Sequence, residues 1–263
     1  MKSISFTKLV YIVFHFLLFS TLIASNQLDS IPELPVSHLP TGEQVFESGK
    51  VLVAQPNGFT HIVNPNAIDS TTILIAVHGY ATRGYEWIVP VTNLAVEHSL
   101  TYFWRYDWEE CPDNSGWELA QAVSRLVRDY PLVERVVIMG HSLGGLVVTY
   151  CAAYLDLPIP AEIHTIAAPL AGIPRLLDKC KLDNNRDGIP DYLKWDKDVS
   201  HIQWRTVHSQ DNAFNKYDVD PQKMDLPGSA VILLPSTMDG RRLGHNWSVT
   251  WVIREYLGLP NSP

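Results

Sequence analysis

The segment of residues 136–148, VVIMGHSLGGLVV, constrains the fold more than any other stretch of the chain. An apolar run rich in β-branched residues comes first, a Gly-x-Ser-x-Gly turn follows, and a helix-forming run comes directly after the turn. Gly140 and Gly144 lie two residues to either side of Ser142, where a larger residue would collide with the neighbouring strand or helix. The segment therefore predicts a strand, a sharp turn and a helix, with the Ser142 hydroxyl presented at the carboxyl edge of a sheet.

Runs typical of strands alternate with runs typical of helices from about residue 45 onward. The predicted strands cover residues 72–78, 100–106, 133–139, 162–167, 202–208 and 230–234. The predicted helices cover residues 117–130, 142–154 and 248–256. Because several of these strands are continuously apolar, as strands covered on both faces are, we expect a single α/β domain with a mostly parallel central sheet and helices on both faces.

The amino-terminal residues carry a targeting pattern. Lys2 and Lys8 precede an apolar run from Leu9 to Ala24, and a polar stretch follows it. This pattern is typical of a cleaved signal peptide, and the run is shorter than the ~20 residues that an uncleaved membrane anchor needs. We expect a signal peptide over residues 1–25, a Pro-rich surface arm over residues 26–44 and the folded domain over residues 45–263. The mature protein would then be secreted or periplasmic, with no stable membrane span.

The charge and the cysteines narrow the choice of partner and compartment. A formal net charge of −8 argues against nucleic acid as a partner. Three cysteines cannot all pair within one chain, and Cys151 lies in the apolar run after Ser142, where we expect a buried thiol. Cys111 and Cys180 lie in separate loop-like stretches, and the sequence leaves open whether they form a disulfide.

From about Val45 onward the chain resembles the lipase and esterase branch of the α/β-hydrolase superfamily. The resemblance rests on the string GHSLGG around Ser142, on the string HGY that ends at Tyr80, and on the order of the elements. It implies that Ser142 is a nucleophile. It also implies that the main-chain N–H groups of Tyr80 and Leu143 form an oxyanion hole.

A serine hydroxyl is a weak nucleophile, so a base must take its proton. In this superfamily the acid and then the histidine follow the serine along the chain. Three of the later histidines, His164, His201 and His208, fall within or at the start of predicted strands, where a structural role is the commoner outcome. His245 lies after the last strand and before the final helix, which is the family's position for the general base. The mechanism requires no cofactor and no metal.

The acid that orients the base is chosen among five aspartates, Asp211, Asp218, Asp220, Asp225 and Asp239. Asp211 is favoured because it follows a predicted strand and would lie at the same sheet edge as Ser142. Asp239 is the main rival, since it lies close before His245. The other aspartates occupy a polar loop, where we expect them to be solvated.

A second pattern lies in residues 183–191, DNNRDGIPD, which match the start of a calcium-binding loop. The twelfth position of that loop would be Lys194 rather than the bidentate Glu, so a turn rich in Asn and Asp is the favoured interpretation. Three aromatic residues in loops after strands, Tyr80, Tyr85 and Trp108, are candidates for lining an acyl pocket.

Together these features predict a serine hydrolase that cleaves small-molecule or lipid carboxylic esters through an acyl-enzyme. An acyl-thioesterase or amidase with the same triad is the enzymatic alternative, because the same intermediate serves all three reactions. A non-catalytic binding protein with a hydrolase fold is the alternative from another class. No long apolar lid is evident in residues 174–201, which favours short-chain esters. The oligomeric state stays open.

Overall fold

The computed structural model describes residues 31–180 and 193–261. The predicted signal peptide lies outside the described residues, as does the candidate calcium loop of residues 183–191. In the part of the chain that is described, no helix is long and apolar enough to cross a membrane.

Eight strands form the central sheet, in the order β1-β2-β4-β3-β5-β6-β7-β8. They are β1 Glu33–Pro35, β2 Gly58–Val63, β3 Asp69–Val77, β4 His98–Arg105, β5 Arg135–His141, β6 Ala161–Ile166, β7 Val199–Arg205 and β8 Ser229–Leu233. Only the pairing of β2 with β4 is antiparallel among these described strands. The predicted, mostly parallel sheet is therefore present, and the carboxyl ends of β3, β5, β6 and β7 lie at one edge.

Among the described residues, six α-helices flank the sheet. They are α1 Val45–Val53, α2 Tyr85–Glu97, α3 Pro112–Asp129, α4 Leu143–Tyr154, α5 Pro174–Cys180 and α6 Gly244–Tyr256. Helices α1, α2 and α6 pack together as one group, and α3 packs against α4 as another. A short antiparallel hairpin, β9 Thr237–Met238 with β10 Arg241–Arg242, precedes α6.

The core reflects the alternation of side chains along buried strands. Leu74 and Ala76 of β3 join Val137 and Met139 of β5 in a cluster that also contains residues of α2 and α6. The residues between them, such as Ile75, are equally buried but point to the other face of the sheet. A strand buried on both faces needs apolar residues at every position, which explains the continuous apolar runs in the sequence.

The amino-terminal arm differs from the prediction. Residues 33–35 form β1 at the edge of the sheet, parallel to β2, instead of lying loosely over the surface. Leu34 and Leu39 are 4% and 1% exposed and belong to the core cluster. Proline in this stretch is compatible with a strand because an edge strand does not need every N–H for pairing. The ordered domain therefore begins before residue 45.

Candidate active site

Ser142 occupies a strained turn between β5 and α4. Its φ of 54° lies in the left-handed region that non-glycine residues rarely adopt. The turn fits only because the flanking glycines lack side chains: a Cβ on Gly140 would lie 2.3 Å from the Gly144 carbonyl oxygen, and one on Gly144 would lie 2.4 Å from the His78 carbonyl oxygen. The Ser142 N–H donates to the carbonyl of Ile166 on β6 at 2.9 Å. The hydroxyl thus lies at the carboxyl end of β5, as predicted.

Asp211 and His245 come together from distant parts of the chain. Nδ1 of His245 donates to Oδ2 of Asp211 at 2.9 Å. Asp211 follows β7 and is completely buried, whereas the His245 side chain, in the first turn of α6, retains 13% of its exposure. Because Nδ1 carries the donated proton in the neutral ring, Nε2 is left as a free acceptor.

Further donors hold the Asp211 carboxylate in place. Thr206 Oγ1 donates to Oδ2 at 2.6 Å, and the Ala213 N–H donates to Oδ1 at 2.9 Å. Burial alone would raise the pKa of Asp211, but the hydrogen bond and the charge of His245, together with these donors, hold that pKa below its ordinary value. Asp211 therefore stays ionised next to the imidazole.

Asp239, the rival candidate for the acid, lies at the surface, whereas Asp220 is buried. Asp239 pairs with Arg254 at 3.0 Å on the surface and is half-exposed. Asp220 was expected to be solvated, and this is wrong: it is 7% exposed and accepts hydrogen bonds from the main chain and side chain of Gln222. Gln222 in turn accepts a hydrogen bond from the N–H of Thr206 through its side-chain carbonyl. Asp220 thus supports the Asp211 site through two intervening residues.

His141 packs directly on His245. The two ring centroids lie 4.6 Å apart, and Nε2 of His141 donates to the main-chain carbonyl of His245 at 3.2 Å. Ser248 Oγ donates to the same carbonyl. Burial first, and then the proximity of His245, keep the pKa of His141 well below its ordinary value. His141 is therefore a neutral donor that fixes the backbone at the start of α6.

The HGY turn after β3 is held by its histidine. The His78 ring stacks on Tyr106, accepts from the Tyr106 N–H through Nε2 at 3.3 Å and donates through Nδ1 to the Gly79 carbonyl at 2.9 Å. Burial lowers the pKa of His78 to about 4, so this ring is neutral at pH 7. A Cβ on Gly79 would lie 2.9 Å from Ser142 Cβ, so the turn passes close to the serine. This close approach puts Gly79, the residue before Tyr80, beside Ser142.

Ser142 and His245 both border a cavity of about 470 Å³, together with Tyr80 and Leu143. Its other walls are mainly apolar and include Trp108, Ile173, Leu176, Phe214 and Tyr217. Leu143 is the first residue of α4, so its N–H has no intrahelical partner. No hydrogen bond joins Ser142 Oγ to the His245 ring among the described residues, and such contacts often tighten only when substrate binds.

Residues of α5 and of the loop after β4 line part of this large cavity. The guanidinium of Arg175 lies 4.7 Å from the centre of the Tyr80 ring, and both Arg175 and Lys179 pair with Glu109. A disulfide joins Cys111 to Cys180 and so links the same two segments. The bridge left open by the sequence is therefore present, and Cys151 is a buried free thiol, as expected.

A model of the alpha/beta hydrolase family matches residues 74–253, a span that contains Tyr80, Ser142, Asp211 and His245. The chain belongs to the alpha/beta hydrolase family. No curated protein sequence matches this hydrolase.

Three solved structures resemble the hydrolase at low sequence identity. A lipase from Bacillus licheniformis is 10% identical, with a TM-score of 0.49 over 78% of this chain and 100% of that chain. A carboxylesterase from Bacillus subtilis is 14% identical, with a TM-score of 0.46 over 82% and 95%. Poly(aspartic acid) hydrolase-1 from Sphingomonas sp. is 13% identical, with a TM-score of 0.46 over 74% and 90%. Likeness at this level says nothing about the reaction of this hydrolase.

The remaining predicted candidates lie away from the cavity of the hydrolase. His164 bonds to Glu162 and Trp204, and His201 bonds to Thr149 and Ser229. His208 contacts the carbonyl of Phe214 through Nε2 at 2.9 Å. Among the described residues, no group of three or more His, Cys, Asp or Glu side chains is placed to hold a metal ion.

Sequence reasoning missed three contributors to the site: His141, Thr206 and Phe214. The Phe214 ring meets the His245 ring edge-on at 4.9 Å between centroids. His141 adjoins Ser142 and Thr206 follows β7, so proximity along the chain was a usable signal for these two. Phe214 carried no such signal, because its place depends on how the loop after β7 folds over the sheet edge.

Proposed function

We propose that this protein is a serine hydrolase that cleaves carboxylic esters through an acyl-enzyme on Ser142. The observation that carries the proposal is the contact between His245 and the buried Asp211 at a cavity that Ser142 also borders. A non-catalytic binding protein has no need of a strained serine, an oriented imidazole and an ionised buried carboxylate around one cavity.

In the proposed reaction the Ser142 hydroxyl attacks the ester carbonyl while Nε2 of His245 takes its proton. Asp211 holds the imidazole in the Nδ1–H tautomer and stabilises the imidazolium without itself becoming protonated. The main-chain N–H groups of Tyr80 and Leu143 stabilise the oxyanion. His245 then protonates the departing alcohol, and water releases the acid from Ser142 by the reverse sequence of proton transfers.

The proposed acyl side is the large cavity. Its aromatic and aliphatic walls favour a hydrocarbon chain, and its volume falls within the range of ordinary small-molecule sites. The charged residues Arg175, Lys179 and Glu109 stand among its lining and pair with one another. We therefore propose soluble esters of short to medium chain as substrates in preference to aggregated lipid.

The test is a series of p-nitrophenyl esters from acetate to palmitate, with the butanoyl thioester and anilide measured beside them. We expect kcat/KM to peak at short or medium chain length and ester cleavage to exceed thioester and amide cleavage. Ser142→Ala provides the blank, and Ser200→Ala, an exposed serine on β7, provides the matched control with full activity. Strong thioester cleavage with weak, flat activity on esters would replace the esterase proposal by the thioesterase alternative.

We also propose that the protein is exported. The amino-terminal pattern supports this, and so does the disulfide between Cys111 and Cys180, because such bridges persist in oxidising compartments. Mass spectrometry of the mature amino terminus tests this proposal, with cleavage near residue 25 expected. An intact Met1 in protein recovered from the native host would contradict it.

A further inference from the structure

A second, smaller cavity of about 240 Å³ shares Tyr80, Ser142 and His245 with the large one. Its remaining walls differ in character and include Phe46, Thr82, Tyr85, Glu86 and Asn246. The Ser142–His245 pair therefore borders two cavities, one mainly apolar and one with several polar side chains. An ester carbonyl at Ser142 has two substituents, and two cavities are available for them.

Glu86 is the unusual residue of the smaller cavity. It lies in the first turn of α2, is 8% exposed, and accepts a hydrogen bond from Thr82 Oγ1. Burial raises its pKa, against the opposing effects of Thr82, its own N–H and His245. A carboxyl group has about four acceptor sites, so these donors leave capacity for a ligand. Burying a carboxyl group costs free energy that hydrogen-bond partners offset, and Glu86 lines the same cavity as Ser142.

The rest of the lining indicates what kind of group fits. The Asn246 amide donates to the Tyr85 hydroxyl, which orders a polar wall, and the rings of Phe46 and Tyr85 lie 4.8 Å apart and supply an apolar one. A short carbon skeleton with hydroxyl groups satisfies both walls. The lining contains one carboxyl, Glu86, and one guanidinium, Arg83, and an imidazolium forms on His245 during reaction. An anion would face Glu86 and a cation would face Arg83 and His245, so a neutral hydroxyl is favoured.

We infer that the smaller cavity binds the alcohol part of the ester and that Glu86 selects alcohols with a free hydroxyl group, such as a polyol. This inference rests on the proposed esterase function. The bond between the carbonyl carbon and the alcohol oxygen breaks as Ser142 Oγ becomes bonded to that carbon, and the alcohol leaves with the proton from His245. Glu86 accepts a hydrogen bond from a second hydroxyl on the same alcohol and so holds it during this step.

The test compares two esters that differ only in hydroxyl groups, 2,3-dihydroxypropyl butanoate and propyl butanoate. The wild type should prefer the dihydroxypropyl ester by about tenfold in kcat/KM, as one hydrogen bond to a buried carboxyl allows. Glu86→Leu should bring the ratio near one, and Glu86→Gln, which keeps an acceptor and the side-chain volume, should give an intermediate ratio. Glu97→Gln, an exposed position on the same helix, should leave the ratio unchanged.

Several results would overturn the inference. The first is a wild-type ratio near one. The second is a ratio that stays unchanged in Glu86→Leu while circular dichroism shows that the variant is folded. The third is a preference for butanoylcholine, which would assign the cavity to a cation. p-Nitrophenyl butanoate separates this failure from that of the proposed function. If the wild type cleaves that ester and the ratio is near one, only the role of Glu86 is rejected, whereas no cleavage of any ester rejects both.

Discussion

Nε2 of His141 donates to the main-chain carbonyl of His245 at 3.2 Å, and the two imidazole rings lie 4.6 Å apart. The residue before the proposed nucleophile therefore holds the residue proposed as its base. This contact crosses from the end of β5 to the start of α6. It couples two parts of the site that are 104 residues apart along the chain.

Removing that contact should lower catalysis more than stability. We expect His141→Phe to reduce kcat by roughly 10- to 100-fold with little change in KM, because a small displacement of a base is costly. His141→Gln, whose amide can donate to the same carbonyl, should recover part of the loss. Steady-state kinetics and the Tm of each variant provide the check. A loss of kcat that simply follows the fall in Tm across both variants would reduce His141 to a packing residue.

Asp211 and Asp239 offer a matched pair of substitutions. Asp211→Asn should lower kcat by about 10³- to 10⁴-fold, since an amide at this position no longer fixes the Nδ1–H tautomer of His245. Asp239→Asn should keep most activity, because its carboxylate pairs with Arg254 at the surface. Kinetics with p-nitrophenyl butanoate distinguish the two. The opposite ranking would transfer the role of the acid to Asp239.

His201 should make stability depend on pH. Burial lowers its pKa to about 3, whereas an unfolded histidine has a pKa near 6.5. The unfolded state therefore binds more protons between these values, and the stability present above pH 6.5 is lost as the pH falls toward 3. Between pH 7 and pH 4.5 this one histidine accounts for roughly 2 kcal/mol of the free energy of unfolding.

Urea denaturation of the wild type and His201→Gln at both pH values tests this. The variant should lose about 2 kcal/mol less than the wild type on acidification. Its remaining loss includes that of His78, whose pKa of about 4 acts in the same direction. Parallel changes in the two proteins would show that His201 does not titrate with the expected shift.

The disulfide should matter both to stability and to the shape of the large cavity. Cys111→Ser/Cys180→Ser should lower stability by about 2–4 kcal/mol, because the bridge closes a long loop. Since α5 lines the large cavity, KM should rise more for long acyl chains than for acetate. Dithiothreitol should lower the Tm of the wild type and leave that of the double variant unchanged. An equal fall in Tm for the wild type and the double variant would show that dithiothreitol does not act through this disulfide.

The sequence predicts the sheet and the serine turn well for a local reason. Strands buried on both faces must be continuously apolar, and the turn at Ser142 must be flanked by small residues. Both features are therefore visible as short patterns in the sequence. The sequence indicates helix α2 less clearly, because Pro90 lies inside it and proline in a helix interior normally argues against a helix. Edge strand β1 is short and contains Pro35, so its sequence predicts a surface arm. The burial of Leu34 in the structure shows otherwise.

The sequence predicts only those site residues whose positions follow from the order of the elements along the chain. The positions of Asp211 and His245 follow from the order of elements, and the structure brings the two into contact. The burial of Asp220 and the place of Glu86 depend on the packing of loops whose sequences show no periodicity. Their own hydrogen bonds are to near neighbours, Gln222 and Thr82, but their burial depends on segments that are distant along the chain, and a single sequence does not encode that packing in any local pattern.

The most direct test of the account is peptide mapping after reaction with a fluorophosphonate probe. We expect one stoichiometric phosphonyl adduct on the peptide that contains Ser142, no adduct in Ser142→Ala, and slow labelling in Asp211→Asn. Stoichiometric labelling of another residue, or a folded wild type that hydrolyses esters without any adduct on Ser142, would contradict it.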